Sequence, residues 1–171
     1  LWVGSSYSLK QPEIFLDLAR NFPRESFVIV MQRHDKEIFL NIEQEARSID
    51  NVRFIPGVPF HKVDEIFCRA KLLINTSTYE GFPNTFVQSA IFSIPIISLN
   101  VNPDNILTEY DFGIFCNNDK TVLADSLTCL LENDEQRRRM SANARYFAQH
   151  RFDISKNIVD FKRIFSEALC L

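Results

Sequence analysis

The sequence has few glycines, no long apolar stretches and no excess of positive charge. Only 4 of its 171 residues are glycine, so each one is a candidate for a backbone position that a Cβ atom would spoil. The longest apolar stretches, such as residues 90–97, fall well short of the ~18 residues that a membrane span needs. The 19 basic against 22 acidic residues give a net charge of −3, which leaves no basic face for nucleic-acid binding.

Several nucleotide and metal motifs are also missing. There is no Walker P-loop and no G-x-G-x-x-G, which argues against a nucleoside triphosphate or NAD as ligand. The four cysteines form no C-x-x-C pair and the three histidines are scattered, which argues against zinc. Because each cysteine has apolar neighbours, we predict four reduced, buried thiols and a cytoplasmic protein. These are Cys68, Cys116, Cys129 and Cys170.

What the sequence has in quantity is phenylalanine, with 16 residues, which indicates a core of large rings. Its hydrophobic fraction of 46% and charged fraction of 24% are typical of a globular protein, and its length suits one domain. The chain begins without Met and without a charged segment ahead of an apolar one. We therefore expect no signal peptide in this piece and a longer polypeptide around it.

Short apolar segments alternate with amphipathic ones along the chain. The first kind predicts strands, at residues 1–3, 26–31, 52–55, 72–75, 95–98 and 113–116. The second predicts helices, at residues 11–22, 36–49, 60–70, 83–92, 119–131, 134–150 and 153–171. This alternation favours one α/β domain over residues 1–171, a doubly wound, mostly parallel sheet of about six strands with C-terminal helices.

Ligands of such folds bind beyond the carboxyl ends of the strands. Gly4, Gly57 and Gly81 are predicted to follow strands, on that side, whereas Gly113 precedes one. At the far end of the chain, Asp153 stands at the N-cap position of the last helix. That helix carries an apolar stripe formed by Phe152, Ile154, Ile158, Phe161, Ile164 and Phe165.

Residues 75–88 are the most informative stretch. A strand runs into a polar loop with Glu80 and Gly81, and a helix then starts near Pro83. A helix N-terminus offers free backbone N–H groups to an anion, to which Asn84 and Thr85 add donors. Glu80 repels a bare phosphate but accepts hydroxyl protons, so the pattern suits a sugar attached to a diphosphate. The alternative is an ordinary capped loop.

Two further loops follow strands. Lys10 stands near the start of the first helix, where a cation is unfavourable unless an anion binds beside it. The alternative is a solvated surface lysine. Residues 100–105, Asn-Val-Asn-Pro-Asp-Asn, follow another strand and are candidates to line the same cleft, with a plain Asx turn as the alternative.

Taken together, these segments resemble the carboxy-terminal, donor-binding half of a family 4 retaining glycosyltransferase of the GT-B type. The matching stretches are residues 2–4, Lys10, 12–13, 51–57, 75–86 and 95–98, with E-G-F-P-N-T-F at 80–86 the most specific. The resemblance implies transfer of a glycosyl unit from a nucleotide-diphosphate sugar with retention. No metal or cofactor is implied, which agrees with the lack of any D-x-D motif.

The resemblance also implies roles for individual residues. Glu80 would bind hydroxyls of the transferred sugar, Lys10 would contact the diphosphate, and both count as catalytic. The residues implied in donor binding are Gly4, Ser5, Gly57, Val58, Gly81, Phe82, Pro83, Asn84, Thr85 and Gln88. Acceptor recognition would belong to an absent amino-terminal half, and membrane contact only to absent regions. We therefore expect this piece alone to bind donor weakly and turn over little.

Two positions depart from the family pattern. Gln88 stands where the family has a second glutamate, and Ser5 where it has an arginine after the first-strand glycine. Gln88 can still accept a ribose hydroxyl, though without charge assistance. These departures leave open a catalytically weakened or scaffolding domain of the same fold. A third possibility is a doubly wound fold for an unrelated phosphorylated ligand.

Overall fold

A computed structural model describes residues 1–169, apart from the side chains at 60, 61 and 156. Its six strands are β1 Trp2–Ser5, β2 Phe27–Gln32, β3 Val52–Pro56, β4 Leu73–Asn75, β5 Ile96–Ser98 and β6 Gly113–Phe115. Its helices are α1 Pro12–Asn21, α2 Lys36–Arg47, α3 Phe60–Phe67, α4 Asn84–Ile91, α5 Ile106–Glu109, α6 Lys120–Glu132, α7 Asp134–Arg151 and α8 Ile154–Leu169. The predicted alternation is confirmed, and the additions are α5 and two 3-10 helices, Ser8–Lys10 and Pro103–Asn105.

Local sequence explains where several helices begin. Pro12 is the first residue of α1, where its missing N–H is not needed. Asp35 caps α2 by accepting a hydrogen bond from the Ile38 amide at 2.8 Å, and Asp119 caps α6 in the same way. The caps fix the points at which the chain turns from loop into helix on the ligand side of the sheet.

The strands form two parallel ladders that meet at β1 and β4. One ladder has the order β1-β2-β3 and the other the order β4-β5-β6. The Leu1 nitrogen donates to Leu72 O and the Ile74 amide donates to Leu1 O, both at 2.9 Å, which is the pattern of parallel neighbours. The resulting order 3-2-1-4-5-6 is that of a doubly wound sheet whose winding reverses between β1 and β4.

Helices cover both faces of the sheet. On β4 and β5, Leu73 and Ile96 pack into one core cluster with α3, α4, α5 and α7. Their neighbours Ile74 and Ile97 pack into a second cluster with α1, α2 and α6. This three-layer arrangement accounts for strands with consecutive apolar residues, such as Leu73-Ile74 and Ile96-Ile97, and it confirms the predicted fold class.

The prediction of uniformly buried cysteines is wrong for two of them. Cys116 is buried, but Cys68 and Cys129 are exposed, and Cys170 lies outside the described residues. Cys68 follows the end of α3. Cys129 lies off the face of α6 that packs into the core, and its thiol contacts Gln136 Oε1 at 3.3 Å. Apolar neighbours in sequence therefore did not specify which face of a helix the thiols occupy.

The last helix, predicted over 153–171, forms over Ile154–Leu169, and residues 170–171 lie outside the described part. Asp153 Oδ1 accepts a hydrogen bond from the Ser155 amide at 2.9 Å, which confirms the N-cap. All six side chains of the predicted apolar stripe are exposed, and so are Val159 and Leu169 of the same helix. None of the helices within the described part of the chain is long and apolar enough to cross a membrane.

Candidate functional site

Lys10 and Glu80 meet at the edge of the sheet where the winding reverses. Lys10 lies in the loop after β1, and Glu80 in the loop after β4. Lys10 Nζ is 2.6 Å from Glu80 Oε2, and the two side chains are only 20% and 15% exposed. Glu80 thus supplies, from within the chain, the anion that the position of Lys10 near the start of the first helix calls for, and Lys10 is not the solvated surface lysine of the alternative.

Asn75, the last residue of β4, fixes the other carboxylate oxygen. Its Nδ2 donates to Glu80 Oε1 at 2.8 Å. The Asn75 Oδ1 in turn accepts hydrogen bonds from the Ser77 amide at 3.2 Å and from Ser98 Oγ at 3.5 Å. Both oxygens of Glu80 are therefore held. Since an ionised carboxylate has about four acceptor positions, room remains for two further hydroxyl donors.

A chain of hydrogen bonds through Thr76 and Trp2 fixes the backbone of Lys10. Thr76 Oγ1 donates to Lys10 O at 2.6 Å and accepts from Trp2 Nε1 at 2.9 Å. Both Trp2 and Thr76 are buried. The Thr78 amide adds a bond to Leu9 O at 2.8 Å. The loops after β1 and β4 are therefore cross-linked, which sets the position of Lys10 relative to Glu80.

Sequence reasoning did not assign Trp2, Asn75 or Thr76 to the site. A signal existed, because Asn75 and Thr76 directly follow a buried strand and polar groups placed there need partners. Trp2 is the single tryptophan, and a buried indole N–H also needs an acceptor. Which partner each group finds depends on loop conformation, which the sequence pattern does not give.

The N-terminus of α4 faces the same loop. Pro83 is its N-cap residue, and no side chain among the described residues caps it. Asn84 and Gly81 are exposed, and a Cβ placed on Gly81 would meet nothing within 4 Å. The main chain at Gly81 and Asn84 is therefore open to a ligand, whereas Pro83 between them is buried and has no N–H. Gly81 is not required by packing inside the protein.

Two predicted glycines are explained by packing. Gly4 was predicted to follow β1 but lies within it, paired with Met31. The strand continues for one more residue, Ser5, which pairs with Gln32. A Cβ on Gly4 would lie 2.7 Å from the Trp2 ring. Gly57 follows β3 as predicted, and a Cβ there would collide with the Gln32 side chain. Gly113 is the first residue of β6, paired with Ile96, and so lies within the strand and does not precede it as predicted.

The remaining predicted residues are not bonded to the pair. Among the described residues, no hydrogen bond or ion pair joins Val58, Phe82, Thr85 or Gln88 to Lys10 or Glu80. Val58 packs half-buried against the core on the α3 face, and the Phe82 ring lies 5.9 Å from the Phe152 ring. Gln88 is half-buried, one helical turn beyond Asn84. Their roles in donor binding stay predictions.

The loop after β5 joins this edge of the sheet. Asn100 Nδ2 donates to Thr78 O at 2.7 Å, which ties the loop to that of Glu80. Asn102 Oδ1 accepts from the Leu107 amide at 3.0 Å and so bonds to α5, five residues on, whereas an Asx turn would bond the amide two residues on. Within residues 1–169, no three His, Cys, Asp or Glu side chains are grouped so as to hold a metal ion.

The site thus combines a fixed carboxylate, an ammonium group and open backbone amides at the reversal point of a doubly wound sheet. A family model described as glycosyl transferases group 1 matches residues 1–147 of the chain. The chain belongs to this family. The resemblance seen in the sequence is confirmed at that level, while family 4 membership and retention of configuration stay predictions. A comparison with curated protein sequences found no match.

Solved structures share the fold. The C-terminal domain of the group 1 glycosyl transferase LpcC from Francisella tularensis superposes with a TM-score of 0.77 at 16% identity, covering 90% of this chain and 85% of that one. Anabaena HepE, solved with UDP-glucose, gives 0.79 at 15% identity, covering 97% and 48%. A mutant of S. aureus TarM, whose complex includes UDP, gives 0.79 at 16% identity, covering 96% and 35%. The chain thus spans less than half the length of the last two.

Proposed function

We propose that this chain binds the nucleotide-diphosphate sugar of a glycosyltransferase that transfers the sugar with retention. The observation that carries the proposal is the Lys10–Glu80 pair at the reversal point of the sheet, ahead of the open end of α4. Family membership supports it, as do the UDP-glucose complex of HepE and the UDP complex of TarM.

Lys10 serves the diphosphate in this proposal. Its ammonium group has three N–H donors, of which one points at Glu80, so two are available to phosphate oxygens. The amides at the start of α4 add the positive end of the helix dipole. As the bond between sugar and diphosphate breaks, these groups stabilise the charge that develops on the leaving group.

Glu80 serves the sugar. Asn75 and Lys10 hold its two oxygens, and the acceptor positions left over receive sugar hydroxyls. A hydrogen bond to a charged group is worth about 1.5–3 kcal/mol, and a prefixed carboxylate loses little entropy in making it. Since Lys10 balances the charge of Glu80, the carboxylate does not repel the diphosphate beside it.

The nucleoside is assigned to the loop after β3 and to α4. Gly57 and Val58 follow β3 on the ligand side of the sheet and would face the base through backbone groups. Gln88, one turn below Asn84, would accept a ribose hydroxyl. The donor is a substrate, and we assign no metal or other cofactor. We assign acceptor recognition to sequence beyond these residues, because the chain matches only part of HepE and TarM. We assign the activity to the cytoplasm.

A second candidate is a nucleotide-binding or scaffolding domain that keeps the fold with weakened catalysis. Ser5 and Gln88 favour it, since each replaces a charged residue of the family pattern by a neutral one. The two candidates differ in sugar dependence. A transferase domain binds the sugar nucleotide through Glu80, whereas a scaffold has no reason to depend on that carboxylate.

Calorimetric titration with UDP, GDP, ADP and their glucose derivatives tests the proposal. We expect one nucleotide to bind, and binding of its sugar form to be lost in Lys10→Ala and Glu80→Ala. Matched controls are Lys71→Ala and Glu25→Ala, whose residues line a cavity at the opposite edge of the sheet and should leave binding unchanged. No heat with any nucleotide at millimolar concentration would contradict the proposal.

A further inference from the structure

The proposed donor site has a charge deficit. A diphosphate ester carries about two negative charges, and the Lys10 cation is already balanced by Glu80 at 2.6 Å. The helix end at α4 contributes only partial charge. This inference rests on the proposed function, because a site for such a ligand should hold a further cation at the same edge of the sheet.

Arg33 is fixed at that edge by the residues on either side of it. It follows β2, the strand that pairs with β1, and it lies between two residues bonded to Ser6. The Ser6 amide donates to Gln32 O at 2.9 Å, and the His34 amide donates to Ser6 Oγ at 2.8 Å. Since Ser6 is fully buried, these hydrogen bonds are shielded from water. It places Arg33 beside the loop that carries Lys10.

The Arg33 guanidinium is uncommitted. It is exposed, and no ion pair or side-chain hydrogen bond within the described part of the chain involves it. Its neighbours are engaged elsewhere, because Asp35 caps α2 through the Ile38 amide. His34 Nδ1 lies 2.9 Å from the Tyr7 hydroxyl. By contrast, most arginines of the helices pair with a carboxylate, as Arg20 does with Glu45 at 2.7 Å.

Position relative to Ser5 gives the second argument. Ser5 is the last residue of β1 and pairs directly with Gln32, so Arg33 follows the register partner of Ser5. Neighbouring strands are about 4.8 Å apart, and an arginine side chain is longer than that. The guanidinium of a residue at the end of β2 can therefore reach a ligand that lies beside Ser5. Arg69 cannot do so, because it precedes β4 and lines the cavity at the amino ends of the strands.

We propose that Arg33 is the second cation for the donor diphosphate, acting from β2 in place of a cation at Ser5. Its planar guanidinium donates two parallel N–H bonds to phosphate oxygens, while Lys10 acts as a point charge beside it. A donor-site cation of this kind discriminates by phosphate number. A nucleoside diphosphate gains from Arg33, whereas a nucleoside monophosphate gains little.

Calorimetry of Arg33→Ala with UDP, GDP and ADP, and with the matching monophosphates, tests the assignment. We expect diphosphate binding to weaken about fivefold to tenfold and monophosphate binding by less than about twofold. Lys36→Ala, three residues away, controls for loss of any nearby charge, and Arg69→Ala for loss of an arginine at the far edge. Both should change diphosphate affinity by less than about twofold.

A compensating variant makes the test specific. Adding Ser5→Arg to Arg33→Ala should restore diphosphate affinity to within about twofold, because the cation then comes from the adjacent strand. Unchanged diphosphate binding in Arg33→Ala, or equal weakening in Lys36→Ala, would overturn the assignment and leave the proposed function standing. Failure of the unaltered protein to bind any of the nucleotides would overturn both.

Discussion

The two edges of the sheet both carry charged residues, but they use them differently. At the carboxyl edge, Lys10 and Glu80 are nearly buried, paired at 2.6 Å and linked to Asn75. At the amino edge, a cavity of about 240 Å³ is lined by apolar residues together with the charged residues Glu25, Arg69 and Lys71. No ion pair among the described residues joins those three residues.

The difference teaches that a cavity alone does not locate a binding site. Withdrawing charges from water is costly unless they are paired and hydrogen-bonded, so a fold rarely keeps such a network without use. The amino edge has a partly open cavity whose basic residues Arg69 and Lys71 are exposed to solvent. The carboxyl edge has an organised carboxylate and ammonium where doubly wound folds bind ligands. We therefore assign function by the organisation of polar groups.

The largest expected effect is a difference in stability between variants of two glycines, one at each edge of the sheet. Gly113→Val at the amino end of β6 should lower the free energy of unfolding by about 3 kcal/mol, because its Cβ would lie 2.8 Å from Ile96 O and from Leu107 Cδ2. Gly81→Val should leave stability within about 0.5 kcal/mol, since its Cβ meets nothing, yet block the diphosphate. Urea unfolding and nucleotide titration measure the two effects. A destabilised but binding-competent Gly81→Val would reverse the assignment.

Next in size is the effect of removing one cation at each edge. Lys10→Met should lower the free energy of unfolding by about 2 kcal/mol, because it leaves Glu80 partly buried without its partner. Lys71→Met removes an exposed charge and should cost less than about 0.5 kcal/mol. Urea unfolding of both variants gives the comparison. Equal losses would mean that the Lys10–Glu80 pair is no more organised than a surface charge.

A smaller effect sharpens the assignment of α4. Gln88→Glu should tighten binding of the preferred nucleotide about fivefold, because a carboxylate accepts a ribose hydroxyl more strongly than an amide does. Glu135→Gln, at an exposed position in the first turn of α7, changes charge away from α4 and serves as control. The measurement is calorimetric titration. Affinity that is unchanged or weaker would show that Gln88 does not face the ribose.

The smallest expected effect is a difference in the alkylation of three cysteines that differ in solvent exposure. Burial raises the pKa of the Cys116 thiol to about 11, so it stays protonated and unreactive at pH 8, while exposed Cys68 and Cys129 should be labelled. An unfolded cysteine has a pKa of about 8.5. The stability that Cys116 contributes is therefore complete below that pH and is lost as pH rises through about 11. Peptide mapping after alkylation reads the result, and rapid labelling of Cys116 would contradict its burial.

Much of this comparison could be predicted from the sequence. Apolar periodicity specified the strands and most helices, and the rule that parallel strands align their carboxyl ends placed Lys10 and Glu80 at one edge. The four-residue helix α5 was missed because so short a segment has no measurable periodicity. The Asn75–Glu80 hydrogen bond was missed because it depends on the backbone dihedral angles of the loop. The turn from Lys10 into α1 was missed for the same reason, since it depends on Gln11 having a φ of 44°.

The exposed stripe of α8 marks the same limit. Periodicity indicates that a helix has an apolar face, but it does not say against which element that face packs. Burial of Cys68 and Cys129 was mispredicted for a related reason, since neighbours in sequence are not neighbours on one helix face. Long, regular elements are therefore predictable from local pattern, whereas partners across the fold are not.

The most direct test of the account is a crystal structure of the protein with the nucleotide-diphosphate sugar that it binds best. The account predicts phosphate oxygens within hydrogen-bond distance of Lys10 Nζ and of the amides of Gly81, Phe82, Asn84 or Thr85, and sugar hydroxyls on the Glu80 carboxylate. A donor bound instead in the cavity beside Arg69 and Lys71, or one that leaves Lys10 and Glu80 untouched, would contradict it.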